Sequence, residues 1–297
     1  MEKSIKVALF GNISDPSKAI YAQNLLDALE RRGACVGIDI PFFESLQKTP
    51  GMNLPQSVIP ISGDFQAHLA VSMGGDGTFL TAAKRVGASG TPILGINMGR
   101  LGFLADFSPS DIEMAIDMAC RGLLHAEPRT VLAVEFSSGE PSDYPFALNE
   151  VAVLKRDVSS MISIRVEIDG EYLTTYQADG LIINTPTGST GYALSVGGPV
   201  MSPQSDILGL VPVAPHSLSM RPLTLSGGSC VTLTVESRNH NFLVAIDGRS
   251  QACAEDVQLK VRKAPYQVQV IKRPGGSFFR TLRQKLMWGS DTRAHEC

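Results

Sequence analysis

Apolar residues fall in two different rhythms along this chain. In the first half, short apolar runs alternate with stretches of helical spacing. Residues 5–10 read as a strand; after the polar segment 11–15, Ile20, Leu25, Leu26 and Leu29 keep helical spacing from about Pro16 until Gly33 stops it. Residues 35–40 are predicted as the next strand. The stretch 43–63 carries three prolines and few periodic hydrophobics, which predicts a long mobile loop. Residues 67–73 then predict a strand, 78–86 a helix and 92–96 another strand, and Ser108-Pro109-Ser110-Asp111 caps a helix running to about Arg121.

Beyond about Glu127 the rhythm becomes one of alternation. Residues 131–136, 147–154, 162–168, 172–176, 231–236, 242–246 and 257–262 are strand-like, and Asp169-Gly170 and Asp247-Gly248 have the composition of hairpin turns. One segment interrupts this pattern, where the strand 181–184 empties into a hydroxyl-rich turn and a short helix. Near the end, Phe279, Leu282 and Leu286 recover helical spacing over 278–288, before a polar tail expected to fray.

These rhythms predict an α/β N-terminal domain (1–127) with a parallel sheet flanked by helices, followed by a β-rich, largely antiparallel C-terminal domain (128–297). A C-terminal segment from about residue 273 is expected to pack back on the first domain. In the first domain, ligand loops belong at the carboxyl ends of the strands.

Composition narrows the class. The chain has 297 residues, 43% hydrophobic and 19% charged, enough for two medium domains with cores of their own. A net charge of -3 without a long block of either sign gives no footprint for nucleic acid or an anionic membrane, so an anionic ligand must be gripped locally. Cys35, Cys120, Cys230, Cys253 and Cys297 form no C-x-x-C pair and are odd in number, which argues against a disulfide framework or zinc knuckle. With no signal-peptide pattern after Met1 and no membrane-length apolar stretch, a reducing cytoplasm is the expected home.

Candidate chemistry begins at Gly74-Gly75-Asp76-Gly77. A buried strand delivers the chain to a loop whose three glycines permit φ > 0 and close ligand approach, and a helix opening near Thr78 aims its unpaired N–H groups at the same spot. Phosphate suits such a loop. Asp76 is the odd member, because a carboxylate beside phosphate repels it unless it takes a proton or holds a metal. That makes the loop look catalytic, although Gly-Asp-Gly alone is also a common turn. A second glycine-punctuated turn, Asn97-Met98-Gly99-Arg100-Leu101-Gly102, follows the next strand.

Downstream, Pro186 to Pro199 offers small donors, the ring of Tyr192 and flexible backbone in a short space, which suits a nucleoside, though a Ser/Thr-capped turn alone has the same composition. Asn149-Glu150 and Asp179-Gly180 add polar side chains at strand starts.

Taken together, these pieces resemble the NAD kinase family. The chain carries, in the family's order, Gly74-Gly75-Asp76-Gly77; Gly95-Ile96-Asn97-x-Gly99-x-Leu101-Gly102-Phe103-Leu104; Asn149-Glu150; Asp179-Gly180-Leu181-Ile182; and Thr185-Pro186-Thr187-Gly188-Ser189-Thr190-x-Tyr192-x-x-Ser195-x-Gly197-Gly198-Pro199. The likeness spans about residues 5–288. Gly-Gly-Asp-Gly is shared with lipid kinases and phosphofructokinases; the Thr-Pro-Thr-Gly-Ser-Thr segment singles out NAD kinases.

The resemblance implies phosphoryl transfer from ATP to the 2′-hydroxyl of the adenosine ribose of NAD, giving NADP, with a divalent cation, Mg2+. It makes Asp76 the general base. NAD is implied to contact Asp76, Gly77, Asn149, Glu150, Gln177, Asp179, Thr190, Gly191, Tyr192, Ala193, Leu194 and Ser195, with Tyr192 near the adenine. It assigns no metal ligands, and it implies a homodimer or homotetramer. Gln177 and Ser160 depart from the basic residue and the histidine of many members, and Arg249 stands where Gln is frequent.

Two rival readings remain at this stage. A lipid kinase of the diacylglycerol type shares the glycine loop but needs an apolar entry surface, and an NAD-binding regulatory module without turnover has no use for Asp76. A metal-dependent assay for NADP separates all three.

Overall fold

A computed structural model describes residues 4–13, 15–63, 65–99, 102–138, 143–157 and 160–289; Arg100 and Leu101 of the second glycine turn, Cys297 and the polar tail beyond Gly289 lie outside them. The chain folds as two compact units, Met1–Pro128 with Val268–Cys297, and Arg129–Gln267.

In the first unit β1 (Lys6–Gly11), α1 (Ala19–Arg31), β2 (Cys35–Asp39), α2 (Ile40–Gln47), β3 (Ile59–Ile61), β4 (Leu69–Gly74), α3 (Asp76–Val86), β5 (Ile93–Asn97) and α4 (Ile112–Cys120) follow in order. The strands are parallel in the order β5-β4-β1-β2-β3. β1 therefore sits at the switch point where the chain first moves one way and then the other, and there loops part to leave a crevice. Leu25, Leu26 and Leu29 of α1 are buried against the sheet with Val7, Leu9, Val71 and Ile96. Gly33 ends α1 at φ +63°, and Ser108 and Asp111 form the expected capping box one 3-10 turn before α4.

The expected long loop over 43–63 is not one. Pro41 fits the first turn of α2, and Phe42 and Leu46, four apart, are both buried, so the helix forms on its inward face. β3 then pairs with β2 through Gly37 opposite Ile59.

The second unit is antiparallel. It contains β6 (His125–Phe136, entering from the first unit), β7 (Phe146–Ala147), β8 (Glu150–Lys155), β9 (Ile162–Ile168), β10 (Glu171–Ala178), β11 (Gly180–Asn184), α5 (Tyr192–Ser195), β12 (Ile207–Val213), β13 (Leu223–Ser226), β14 (Val231–Glu236), β15 (Asn241–Ile246), β16 (Arg249–Ala254) and β17 (Leu259–Lys272). One sheet runs β13-β12-β11-β8-β15-β16; the other includes β10-β9-β14-β17, with β6 paired to β17 and β7 to β6. Leu181, Ile183 and Val244 of the first sheet share a core with Ile164, Val166 and Leu233 of the second.

Asp169-Gly170 and Asp247-Gly248 both place two successive residues at positive φ, the type I′ geometry that matches strand twist. The single strand expected over 147–154 is broken at Leu148-Asn149. The strand expected to end at Arg262 instead continues through Pro265 to Lys272, where Val270 pairs with Ile93 in the first unit. α6 (Phe278–Leu286) follows, buries Leu282 and sets Phe278 6.3 Å from the Phe103 ring, so the C-terminal segment packs on the first unit as expected. None of the four described cysteines is disulfide-bonded. Among the described residues, no helix is long and apolar enough to cross a membrane.

Gly95 of β5 fixes how closely the following loop can approach. A Cβ there would lie 2.7 Å from Ala105 Cα and 2.9 Å from Phe79 Cδ2. Gly95→Ala should cost about 1–3 kcal/mol through overpacking, read as a lower urea midpoint. Gly99→Ala, whose Cβ would meet only Asn97 Oδ1 at 4.0 Å, should leave the midpoint unchanged.

Candidate active site

The glycine loop lies at the end of β4, and its helix starts earlier than expected: Gly75 is the N-cap and Asp76 the first helical residue of α3. None of the three glycines uses positive φ. Their value is room. A Cβ on Gly74 would meet Thr78 Oγ1 at 2.2 Å, whereas Gly75 and Gly77 face open space. A cavity of about 650 Å³ opens there at the switch point, lined by Phe10, Gly11, Asn12, Asp39, Gly75, Gly77 and Thr78. A smaller one of about 260 Å³ adds Lys18 and Asn97. First-turn N–H groups of α3 have no helical partner, which suits phosphate.

Asp76 does not cap its own helix. Its Oδ2 accepts from Phe103 N–H at 3.0 Å and its Oδ1 from Leu104 N–H at 3.1 Å, so the turn after β5 holds the carboxylate of the loop after β4. Gly102 makes the approach possible, since a Cβ there would lie 2.2 Å from Asp76 Oδ1. Lys285 of α6 brings its Nζ to 3.6 Å from Asp76 Oδ2. Sequence reasoning placed neither Lys285 nor the Phe103 and Leu104 N–H groups at this carboxylate.

In the second unit the break between β7 and β8 has a cause. Asp247, at the β15–β16 turn, accepts from the N–H groups of Leu148 (2.7 Å), Asn149 (2.8 Å) and Glu150 (3.1 Å), drawing those amides out of the ladder. Burial pushes the Asp247 carboxyl up, and the three N–H donors and the Arg249 guanidinium oppose it. Glu150 is buried beside it. Desolvation, then the Asp247 charge, push Glu150 up to about 7, against a hydrogen bond from the Tyr192 backbone.

Asn149, Glu150, Gly191 and Tyr192 come together. A Cβ on Gly191 would stand 2.8 Å from Glu150 Oε2 and 3.4 Å from Asn149 Nδ2, and one on Gly188 would lie 2.1 Å from Asn149 O. Glu150 Oε2, Asn149 Oδ1 and Thr187 Oγ1 are buried with no hydrogen-bond partner in the protein, as befits a site whose ligand supplies one. Tyr192 keeps 37% of its surface exposed.

Other expected ligand contacts lie elsewhere or are otherwise engaged. Thr190 Oγ1 donates to Thr187 O and Ser195 Oγ to Tyr192 O, leaving only acceptor lone pairs. Ala193 is buried against Ala152, Ile182 and Val211, while Leu194 is partly exposed. Asp179 pairs with Lys155 at 2.7 Å. Because Glu150 faces Asn184 and Leu154 faces Gly180, Asp179 sits at the far end of that ladder, about 16 Å from Glu150 at roughly 3.3 Å per residue. Gln177 lies on the other sheet and donates to Ser163 Oγ at 2.8 Å. Arg249 donates to the carbonyls of Tyr144 and Phe146.

The Glu150 shift predicts a pH dependence. Below about 4.5 the residue is protonated whether folded or unfolded; between there and about 7 only the unfolded chain sheds the proton, so folding stability falls as pH rises and levels off above. The loss is roughly 3 kcal/mol. Urea unfolding should find Glu150→Gln as stable as the parent at pH 4.5 and more stable at pH 8. An equal gap at both pH values would refute the shift.

The fold agrees with what the chain is similar to. The ATP-NAD kinase N-terminal domain model matches residues 7–123, and the ATP-NAD kinase C-terminal domain model matches 148–273. An NAD kinase of Bacteroides fragilis is 50% identical over 289 residues, covering 97% of this chain and all of its own; one from Flavobacterium psychrophilum is 38% identical over 299 residues, covering 97% of this chain and all of its own. Among solved structures, a yeast NADH kinase complexed with NADH superposes with a TM-score of 0.87 at 23% identity, over 99% of this chain and 90% of its own, which speaks for the fold. An Archaeoglobus fulgidus NAD kinase in complex with ATP gives 0.71 at 26%, over 95% and 99%. The match of both domain models sets the diacylglycerol-type lipid kinase reading aside: this chain belongs to the NAD kinase family.

Proposed function

We propose that this NAD kinase transfers the terminal phosphoryl group of ATP to the 2′-hydroxyl of the adenosine ribose of NAD, and that Asp76 takes the hydroxyl's proton. The observation that carries the role of Asp76 is its carboxylate, fixed by the backbone N–H groups of Phe103, Leu104 and, at 3.5 Å, Ala105 at the rim of a loop open enough for phosphate. A ribose hydroxyl is a poor nucleophile, and a positioned acceptor for its proton contributes roughly 10²- to 10⁴-fold. The remaining catalysis is positioning and charge neutralisation around a loosely bonded phosphoryl group.

Asn149, Glu150, Gly191 and Tyr192 are the residues we assign to NAD. The unpartnered Asn149 and Glu150 oxygens meet ribose hydroxyls, and the exposed face of Tyr192 stacks on the adenine. Thr190 and Ser195 contribute acceptor lone pairs, and Asp179 and Gln177 serve the far end of the dinucleotide. Gly77 lets the substrate approach the main chain, and Ala193 and Leu194 hold the shape of the short helix.

Among the described residues no three His, Cys, Asp or Glu side chains converge as a metal cage. A divalent cation such as Mg2+ fits this site as the escort of the donor's phosphates, held by them with at most one or two carboxylates, and it neutralises phosphate charge when bound. We place the enzyme in the cytoplasm as a homodimer or homotetramer.

Asp76→Asn is the test. It removes the charge that accepts the proton and the N–H contacts of one carboxylate oxygen, and it keeps the size. NAD should bind within a few-fold by calorimetry, while turnover in a coupled NADP assay falls by about 10² or more. Near-normal turnover would sink the assignment of the base, and joint loss of binding and folding would make Asp76 structural.

A further inference from the structure

A loop that receives a triphosphate and also carries a carboxylate has an electrostatic problem. Two anions repel, and the chain has no G-x-x-x-x-G-K-[ST] loop to bring a lysine to the phosphates. Lys18 lines the cavity beside the loop, and α6 brings a second cation to the Asp76 carboxylate itself. Lys272 pairs with Asp106 at 3.0 Å, Arg273 N–H bonds the same carboxylate at 3.2 Å and the Arg273 guanidinium pairs with Asp111 at 2.9 Å. These contacts fasten the segment that precedes α6 onto the stretch following β5, and the buried Leu282 and the Phe278–Phe103 ring contact seat the helix itself.

Lys285 is thereby delivered to the reacting end of the loop. Its Nζ stands 4.4 Å from the centre of the Phe103 ring and 3.6 Å from Asp76 Oδ2. Phe103 thus positions both charges, Asp76 through its N–H and Lys285 through its ring. At 3.6 Å the contact is an ion pair and too long for a hydrogen bond, so the ammonium is near the carboxylate without being locked to it. Both side chains are about a third exposed, at 33% and 30%, and pairs of that kind add little to stability.

We propose that Lys285 is a catalytic residue of the phosphoryl transfer, its ammonium contacting the oxygens of the transferring phosphoryl group. This rests on Asp76 being the acceptor of the proton. Before the donor binds, Lys285 offsets the Asp76 charge and lowers the repulsion an incoming triphosphate meets. In the transfer itself the 2′-oxygen forms a bond to the terminal phosphorus, the bond from that phosphorus to the bridging oxygen breaks, and ADP leaves with the electron pair. The hydroxyl proton goes to Asp76.

Lys285→Met keeps the stem and removes the charge. Its turnover should fall by about 10²- to 10³-fold, the size of effect expected when a charge-stabilising donor is lost. NAD affinity should stay within about 3-fold and the thermal midpoint close to the parent's. Because the contact is to the terminal phosphoryl group alone, ATP affinity should drop by about 10-fold while ADP affinity holds, a difference that loosened packing does not produce. Lys285→Arg should retain far more turnover than Lys285→Met, and propylamine should restore turnover to Lys285→Ala saturably. Should Lys285→Met not fold, Lys285→Gln carries the same comparison.

Parent-like turnover in Lys285→Met, or equal losses of ATP and ADP affinity with no amine rescue, would overturn the proposal. Asp76→Asn run alongside separates the two assignments. An inactive Asp76→Asn with an active Lys285→Met removes only the lysine, and the reverse removes only the base.

Discussion

The candidate site of the first unit depends on one contact, the grip of backbone N–H groups from Phe103 and Leu104 on the carboxylate of Asp76. That grip requires the turn after β5 to lie close over the loop after β4. Gly95 lets Ala105 come down onto the sheet, and Gly102 leaves space for the carboxylate oxygen. The parallel order β5-β4-β1 makes the two loops neighbours at the same edge. A charged side chain held by fixed dipoles needs no reorganisation at the moment of reaction, an advantage such a grip would give the base proposed at Asp76.

The second unit handles its polar groups differently. Asp247 gathers three amide donors from the break between β7 and β8 and so satisfies a buried carboxylate with main chain. Glu150 has no such set, and burial beside Asp247 pushes it up to about 7. A group poised there either donates or accepts a hydrogen bond at neutral pH. Unpartnered oxygens on Asn149 and Glu150 mark the same place. The NAD contacts proposed for this unit therefore sit where the sheet leaves polar atoms unpaired.

Much of this was legible in the sequence, for identifiable reasons. Alternation gave the central strands of the second unit, and the Asp-Gly pairs announced their type I′ turns. The Gly74–Gly77 loop was legible as a turn from strand to helix, but none of its glycines uses positive φ. α2 was hidden because it is a short helix whose only fully buried residues are Phe42 and Leu46. β12 carries Gly209 and Pro212 in a run buried on both faces, which erases alternation, and β13 and β16 are edge strands with little buried surface. Contacts between segments distant in sequence were out of reach. Asp247 reads as a turn residue, and Lys285 reads as one more cation on the polar face of an amphipathic helix, until the fold brings each to its carboxylate or amides.

The most direct measurement moves the Asp76 carboxylate without removing it. In Gly102→Ala the new methyl would fall 2.2 Å from Asp76 Oδ1, and the end of a flexible side chain gives way more readily than backbone, so the carboxylate swings off its N–H donors while the fold holds. Turnover should fall on the order of 10²-fold, as for a reacting group misplaced by about 1 Å, with NAD affinity and the thermal midpoint close to the parent's. A folded Gly102→Ala enzyme that makes NADP at the parent's rate would show that the position of this carboxylate does not govern the reaction.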